Sequence, residues 1–89
     1  MKVSYNPAFL KDIKSLRGAP IYEKIKNLSF FKIPQYIDIK DIPNLVKITK
    51  SDNAYRIRVG DYRIGVRYRG DCLIFVRCLH RKEIYRYFP

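Results

Sequence analysis

Six arginines, Arg56, Arg58, Arg63, Arg67, Arg69 and Arg77, recur at spacings that extended strands can bring onto one surface. The guanidinium is a planar fork, always charged, whose donors match the oxygens of a phosphate. Several such groups fixed together would grip a polyanion and stabilise charge developing on phosphorus. Shortly after them comes His80-Arg81-Lys82-Glu83-Ile84-Tyr85, which holds the only histidine. Arg81 and Tyr85 are four apart, so in a helix they share a face. His80, at a strand end, can serve as general acid or base, or simply be a polar strand terminus. Tyr85 is a second proton-transfer candidate, with a core-edge aromatic as the alternative. The acidic residues add little: Asp61 and Asp71 fall in turns, and Glu83 has no partner. The sequence shows no carboxylate pair, metal-ligand spacing, phosphate loop or serine triad, which argues against the usual metal-dependent nucleases. Neither a metal nor a cofactor is expected.

Charge agrees with that chemistry. Nineteen Lys and Arg stand against eight Asp and Glu, a net +11. Nine of the ten lysines lie in residues 1–50, and eight of the nine arginines in residues 56–86. The two halves thus differ in the kind of cation they carry. A balance this basic on one small domain favours a polyanionic partner, whether nucleic acid, an acidic protein or an anionic membrane. No stretch approaches the ~18 apolar residues of a membrane span. The N-terminal residues lack the apolar core of a signal peptide, so a cytoplasmic protein is expected.

The elements that must position these groups can be read in outline. Eighty-nine residues suffice for a single domain, 1–89, with one hydrophobic core. Lys2 to Tyr5 suits a short strand. Asn6-Pro7 then offers an N-cap followed by proline in the first helical turn. Phe9, Leu10, Ile13 and Leu16 follow at helical spacing. Ile21, Ile25 and Leu28 mark a second helix, with Phe31 close to the stripe and Pro34 as its stop. Residues 34–50 are ambiguous, apart from a short strand around Leu45 to Ile48. Gly60-Asp61 and Gly70-Asp71 then punctuate three strands, and a helical stub from His80 to Phe88 closes the chain. The expected fold class is α+β: an antiparallel β-meander, two N-terminal helices packed on one face, and a short C-terminal helix. Cys72 and Cys78, six apart on one strand, would stand ~20 Å from each other, so they read as buried thiols rather than a disulfide.

Strand alternation sorts the side chains. Tyr55, Ile57, Val59, Tyr62, Ile64, Val66 and Tyr68 fall on one side, together with Cys72, Ile74, Val76 and Cys78. The six arginines fall on the other, with Gly65, Leu73, Phe75 and Leu79. A two-residue Gly60-Asp61 turn of type II′ sets Arg58 opposite Arg63. A three-residue Arg69-Gly70-Asp71 loop would keep the faces consistent and set Arg63 opposite Arg77. Arg58, Arg63 and Arg77 would then form a row, whose mutual repulsion a polyanion would relieve. Phe75 is a candidate for stacking on a base, with burial under a loop as the alternative.

The stretch YRIRVGDYRIGVRY followed by IFVRCLHRKEIYRYF resembles the RelE/ParE superfamily of toxins from toxin–antitoxin modules. The resemblance extends over the chain in size, basicity and order of elements. It implies a RelE-like messenger-RNA interferase that cleaves in the ribosomal A site, with the ribosome, mRNA and a cognate acidic antitoxin as partners. The ParE-like alternative shares the fold but inhibits DNA gyrase without nuclease chemistry. By this resemblance Arg56 and Arg58 match the family's paired basic residues and Arg63 its arginine after the turn. Arg77 or Arg81 matches its C-terminal arginine, Tyr85 its tyrosine, and His80 the histidine of some branches; Arg67, Arg69, Phe75 and Arg77 would line the RNA. The implied reaction is attack of the ribose 2′-hydroxyl on the adjacent phosphate. Some RelE proteins carry lysines at the paired positions, and arginine cannot replace a lysine that moves protons.

Overall fold

Proline is tolerated at a helix start, because the N–H it lacks would have had no partner there. Helix α1 (Pro7–Ser15) begins at such a proline, after an extended Asn6 whose side chain makes no capping bond. Helix α2 (Tyr22–Asn27) continues through a π-helical turn (Leu28–Lys32) and a 3-10 turn (Ile33–Gln35) that contains Pro34. The wider turn adds one residue to the helix. As a result Ile33 ends the buried stripe begun at Ile25, and Phe31 stays exposed.

The computed structural model describes residues 1–89. Its strands are β1 (Lys2–Tyr5), β2 (Leu45–Lys47), β3 (Ala54–Val59), β4 (Tyr62–Arg69) and β5 (Cys72–His80). They form one sheet in the order β1-β5-β4-β3-β2. Strands β2 to β5 make the expected antiparallel meander, and β1 joins β5 in parallel. A last helix, α3 (Ile84–Tyr87), follows β5. His80 is thus the last residue of β5 rather than the start of the helix. The main core lies between the sheet and the two N-terminal helices, centred on Phe9, Ile13, Ile25, Ile57, Ile64 and Phe75. No helix is long and apolar enough to cross a membrane.

The first hairpin follows the sequence. Only Gly60 takes a positive φ, at 59°, and Arg58 faces Arg63. The second does not. Arg69 pairs with Cys72, leaving a two-residue turn in which Gly70 and Asp71 have φ of 55° and 64°. Two successive positive φ values are the mark of a type I′ turn. Arg67 therefore does lie opposite Ile74, and the conflict this creates is resolved further along. A β-bulge leaves Val76 unpaired between the pairs Gly65–Arg77 and Val66–Phe75. One extra residue reverses the alternation of the strand. The tight turn thus sends Leu73 and Phe75 into the core, and the bulge returns Cys78, beyond it, to the inside. Because β5 is apolar from Leu73 to Val76, its pattern could not reveal which parity was buried.

The arginine face is not wholly open. Ile84 and Phe88 pack there against Ala54, with Ile48, Val76 and Leu79 around them. The sheet thus carries a large core on one side and a small one, beneath α3, on the other.

Candidate functional site: an arginine cluster beside Tyr85

The end of the arginine face nearest the first hairpin brings five candidates together. Arg58 and Arg63 are direct cross-strand partners, and Arg56 lies two residues from Arg58 on the same face, opposite Gly65. Arg63 is anchored from below, donating through Nη1 to the carbonyl oxygens of Gly60 and Tyr62, both at 2.9 Å. Desolvation and then the charges of Arg56 and Arg58 hold its pKa below the ordinary arginine value; Arg81 acts in the same sense and Tyr85 in the opposite one. The charge of Arg63 is therefore coupled to those of Arg56, Arg58, Arg81 and Tyr85. Like charges placed this close destabilise a sheet, and an anion set among them would relieve the repulsion.

Arg81 reaches the cluster by bending around the hairpin. Its backbone N–H donates to the Asp61 carbonyl at 2.8 Å, and its Nε stands 3.7 Å from Asp61 Oδ1. Tyr85 projects from α3 with 56% of its surface exposed. It lines a cleft of about 270 Å³ together with Arg56, Val46, Lys47, Ile48 and Thr49. Lys47 was not among the candidates from the sequence; its one signal was its place in the short strand expected around Leu45 to Ile48, which pairs with β3.

The remaining candidates lie elsewhere. Phe75 is fully buried, its ring centroid 4.8 Å from that of Tyr5 and 5.2 Å from that of Phe9, so it is a core residue and not a stacking platform. Arg77 faces Gly65 and not Arg63, whose partner is Leu79, and the expected row of three is broken by the tighter turn and the bulge together. Its guanidinium is held instead by Asp12. His80 pairs with Tyr62, and their rings meet edge to face at 5.6 Å. Paired residues share a face, so His80 lies on the helix side of the sheet, away from Arg63. Its Nδ1 accepts from the Lys82 N–H at 3.2 Å. Arg67 donates to Asn53 Oδ1 at 2.8 Å and spreads over the Phe88 ring. Arg69 is exposed at the far hairpin.

Cys78 is buried and Cys72 half-buried; both are free thiols. Burial, and after it the charge of Asp12, pushes the Cys78 thiol up to about 12. Such a thiol does not ionise near neutrality and makes no nucleophile. No group of three or more His, Cys, Asp or Glu side chains stands together as a metal site would need. What the cluster presents is a fixed concentration of positive charge with an exposed hydroxyl at its rim, suited to binding phosphate and stabilising negative charge on it.

No protein-family model matches the sequence. The chain is 44% identical to the toxin RelE3 of Methanocaldococcus jannaschii over 90 residues, covering all of both chains. Among solved structures, it matches a RelB–RelE antitoxin–toxin complex from Methanococcus jannaschii at 40% identity. That match has a TM-score of 0.73 and covers 96% of this chain and 98% of the other. YafQ from E. coli shares the fold at 18% identity, with a TM-score of 0.68 and coverage of 91% and 93%. With more than two-fifths of its residues identical to a RelE toxin along its full length, and a sheet and helices superposing on the same fold, the chain belongs to the RelE family of toxins.

Proposed function

We propose that this toxin is a ribosome-dependent endoribonuclease acting on messenger RNA in the cytoplasm, without metal or cofactor. The observation that carries the reading is Arg58 facing Arg63 across the strands with Arg56 on the same face, and Arg81 and Tyr85 near enough for their charges to act on Arg63. In the reaction the 2′-oxygen of a ribose attacks the adjacent phosphorus and the bond to the 5′-oxygen breaks. A 2′,3′-cyclic phosphate and a 5′-hydroxyl remain. The arginines stabilise the extra negative charge on the pentacoordinate phosphorus, where preorganised donors each contribute about 3–4 kcal/mol. Arginine stays protonated, so the arginines act by charge alone. Tyr85 supplies the proton that the departing 5′-oxygen takes up, while the proton of the attacking 2′-hydroxyl leaves to water, from which the tyrosinate is reprotonated. Arg81, and not Arg77, fills the role of the family's C-terminal arginine, because Arg77 is committed to Asp12.

The cognate antitoxin is an acidic protein, as a surface of net +11 invites. Support comes from the toxin–antitoxin complex that the chain resembles. The test is controlled expression followed by primer extension on one message, translated and untranslated, with supercoiling assayed in parallel. Cuts only in the translated message are expected. Intact messages with blocked supercoiling would move the protein to the gyrase-directed class.

A further inference from the structure

Tyr85 stands at the cluster only because α3 lies where it does, and a helix of one turn does not hold itself in place. Phe88 anchors its far end in the small core. The other restraint begins on the opposite layer. Asp12 of α1 reaches the open edge of β5, past the end of β1. Its carboxylate accepts from Arg77 Nε at 2.8 Å, from Arg77 Nη2 at 3.1 Å and from the Cys78 N–H at 2.9 Å. Three donors fix the carboxylate, and its two oxygens fix the plane of the guanidinium. That guanidinium lies over the Tyr87 ring, 5.1 Å from its centroid. Tyr87 sits in the same helical turn as Tyr85.

We propose that Asp12 and Arg77 are positioning residues, forming a carboxylate–guanidinium–aromatic clamp that runs from α1 through β5 to Tyr87 and sets where the Tyr85 hydroxyl stands against Arg56 and Arg63. For its catalytic consequence the inference rests on the nuclease reading. Both side chains of the ion pair are mostly buried, at 25% and 11% exposure, so Arg77 has little left to offer RNA. The hydrogen bonds that Arg77 donates to Asp12 also raise the Arg77 pKa, which keeps the clamp charged.

The Arg86 and Phe88 amides donate to the Glu83 and Ile84 carbonyls at 3.0 and 2.8 Å, and their hydrogen exchange reads α3 without any assay of activity. Losing the cation–π contact in Tyr87→Leu speeds their exchange about two- to fivefold, and Arg77→Met speeds it at least as much. In both variants the single-turnover cleavage rate falls on the order of tenfold through misplacement of Tyr85, with RNA affinity unchanged. Tyr87→Phe keeps the ring and retains wild-type exchange and rate. Because Tyr87 is half exposed, its variants fold even where Arg77→Met does not. Unchanged exchange in Tyr87→Leu overturns the clamp. Faster exchange with an undiminished rate, or a loss confined to affinity, overturns the positioning role. A wild-type protein that cleaves no message refutes the nuclease reading instead, and exchange still decides whether the clamp holds.

Discussion

Gly65 lies directly beneath the ring of Phe88: a Cβ at position 65 would meet ring atoms of Phe88 at 2.5 and 2.8 Å. Those distances are too short for any real carbon contact, so the missing side chain is what lets the C-terminal residues settle on the arginine face. Gly65 also faces both Arg56 and Arg77, one from each neighbouring strand. The missing side chain therefore seats the helix that carries Tyr85, between the two strands that carry Arg56 and Arg77.

Gly65→Ala tests that seat. The ring must move, which costs about 1–3 kcal/mol of stability by overpacking. Denaturant unfolding should show a lower midpoint, and cleavage should fall further than the small loss of folded protein explains.

Arg63→Ala separates chemistry from fold. Its two hydrogen bonds go to backbone carbonyls beside the first turn, one exposed and one partly buried, and its removal relieves repulsion with Arg58, so stability should change by less than about 0.5 kcal/mol. Cleavage should fall by about 10²–10³. Tyr85→Phe, which removes only an exposed hydroxyl, should likewise leave the melting temperature alone and slow the single-turnover rate.

The two arginine environments predict different salt dependence. Each phosphate contact to single-stranded nucleic acid contributes a slope of about −0.7 in log affinity against log salt. Binding of a single-stranded RNA by Arg58→Ala should lose about one such increment. Arg77→Met should keep the full slope, since its guanidinium already neutralises Asp12.

The core predicts an alkaline limit. Cys78 has a folded-state pKa of about 12 against an ordinary 9.0. An acid whose pKa is raised on folding keeps its proton while the unfolded chain loses it, so stability is whole below pH 9.0 and declines as pH rises towards about 12. Tyr5, whose pKa burial raises above 10.0, acts in the same direction. Unfolding midpoints measured from pH 8 upward should fall, and Cys78→Ala should fall less steeply over the same range.

Much of this protein was decided locally. Pro7 opened α1, Gly60 set the first hairpin, and alternation in β3 and β4 put Arg56, Arg58, Arg63, Arg67 and Arg69 on one face, because pleat and turn geometry act between near neighbours. The residues that resemble the RelE pattern also lie within short stretches, so the family was legible before any contact was known. The site was less so. Which parity of β5 faces inward depended on a bulge at Val76, and an unbroken apolar run carries no mark of one. The two-residue turn sent Phe75 into the core, and turn and bulge together took Arg77 out of line with Arg63. His80 and Tyr85, five residues apart, ended on opposite sides of the sheet because one belongs to the strand and the other to the helix folded back across it. The partner of Arg77 proved to be Asp12, sixty-five residues away, a choice made only when α1 crossed the edge of β5. Side-chain chemistry and a two-residue period suffice to say which residues carry charge and, in β3 and β4, which strand face each belongs to. Which of the arginines remain free to meet a phosphate was decided only by tertiary packing, because a distant carboxylate, a bulge and a ring seated on glycine have no periodicity to read.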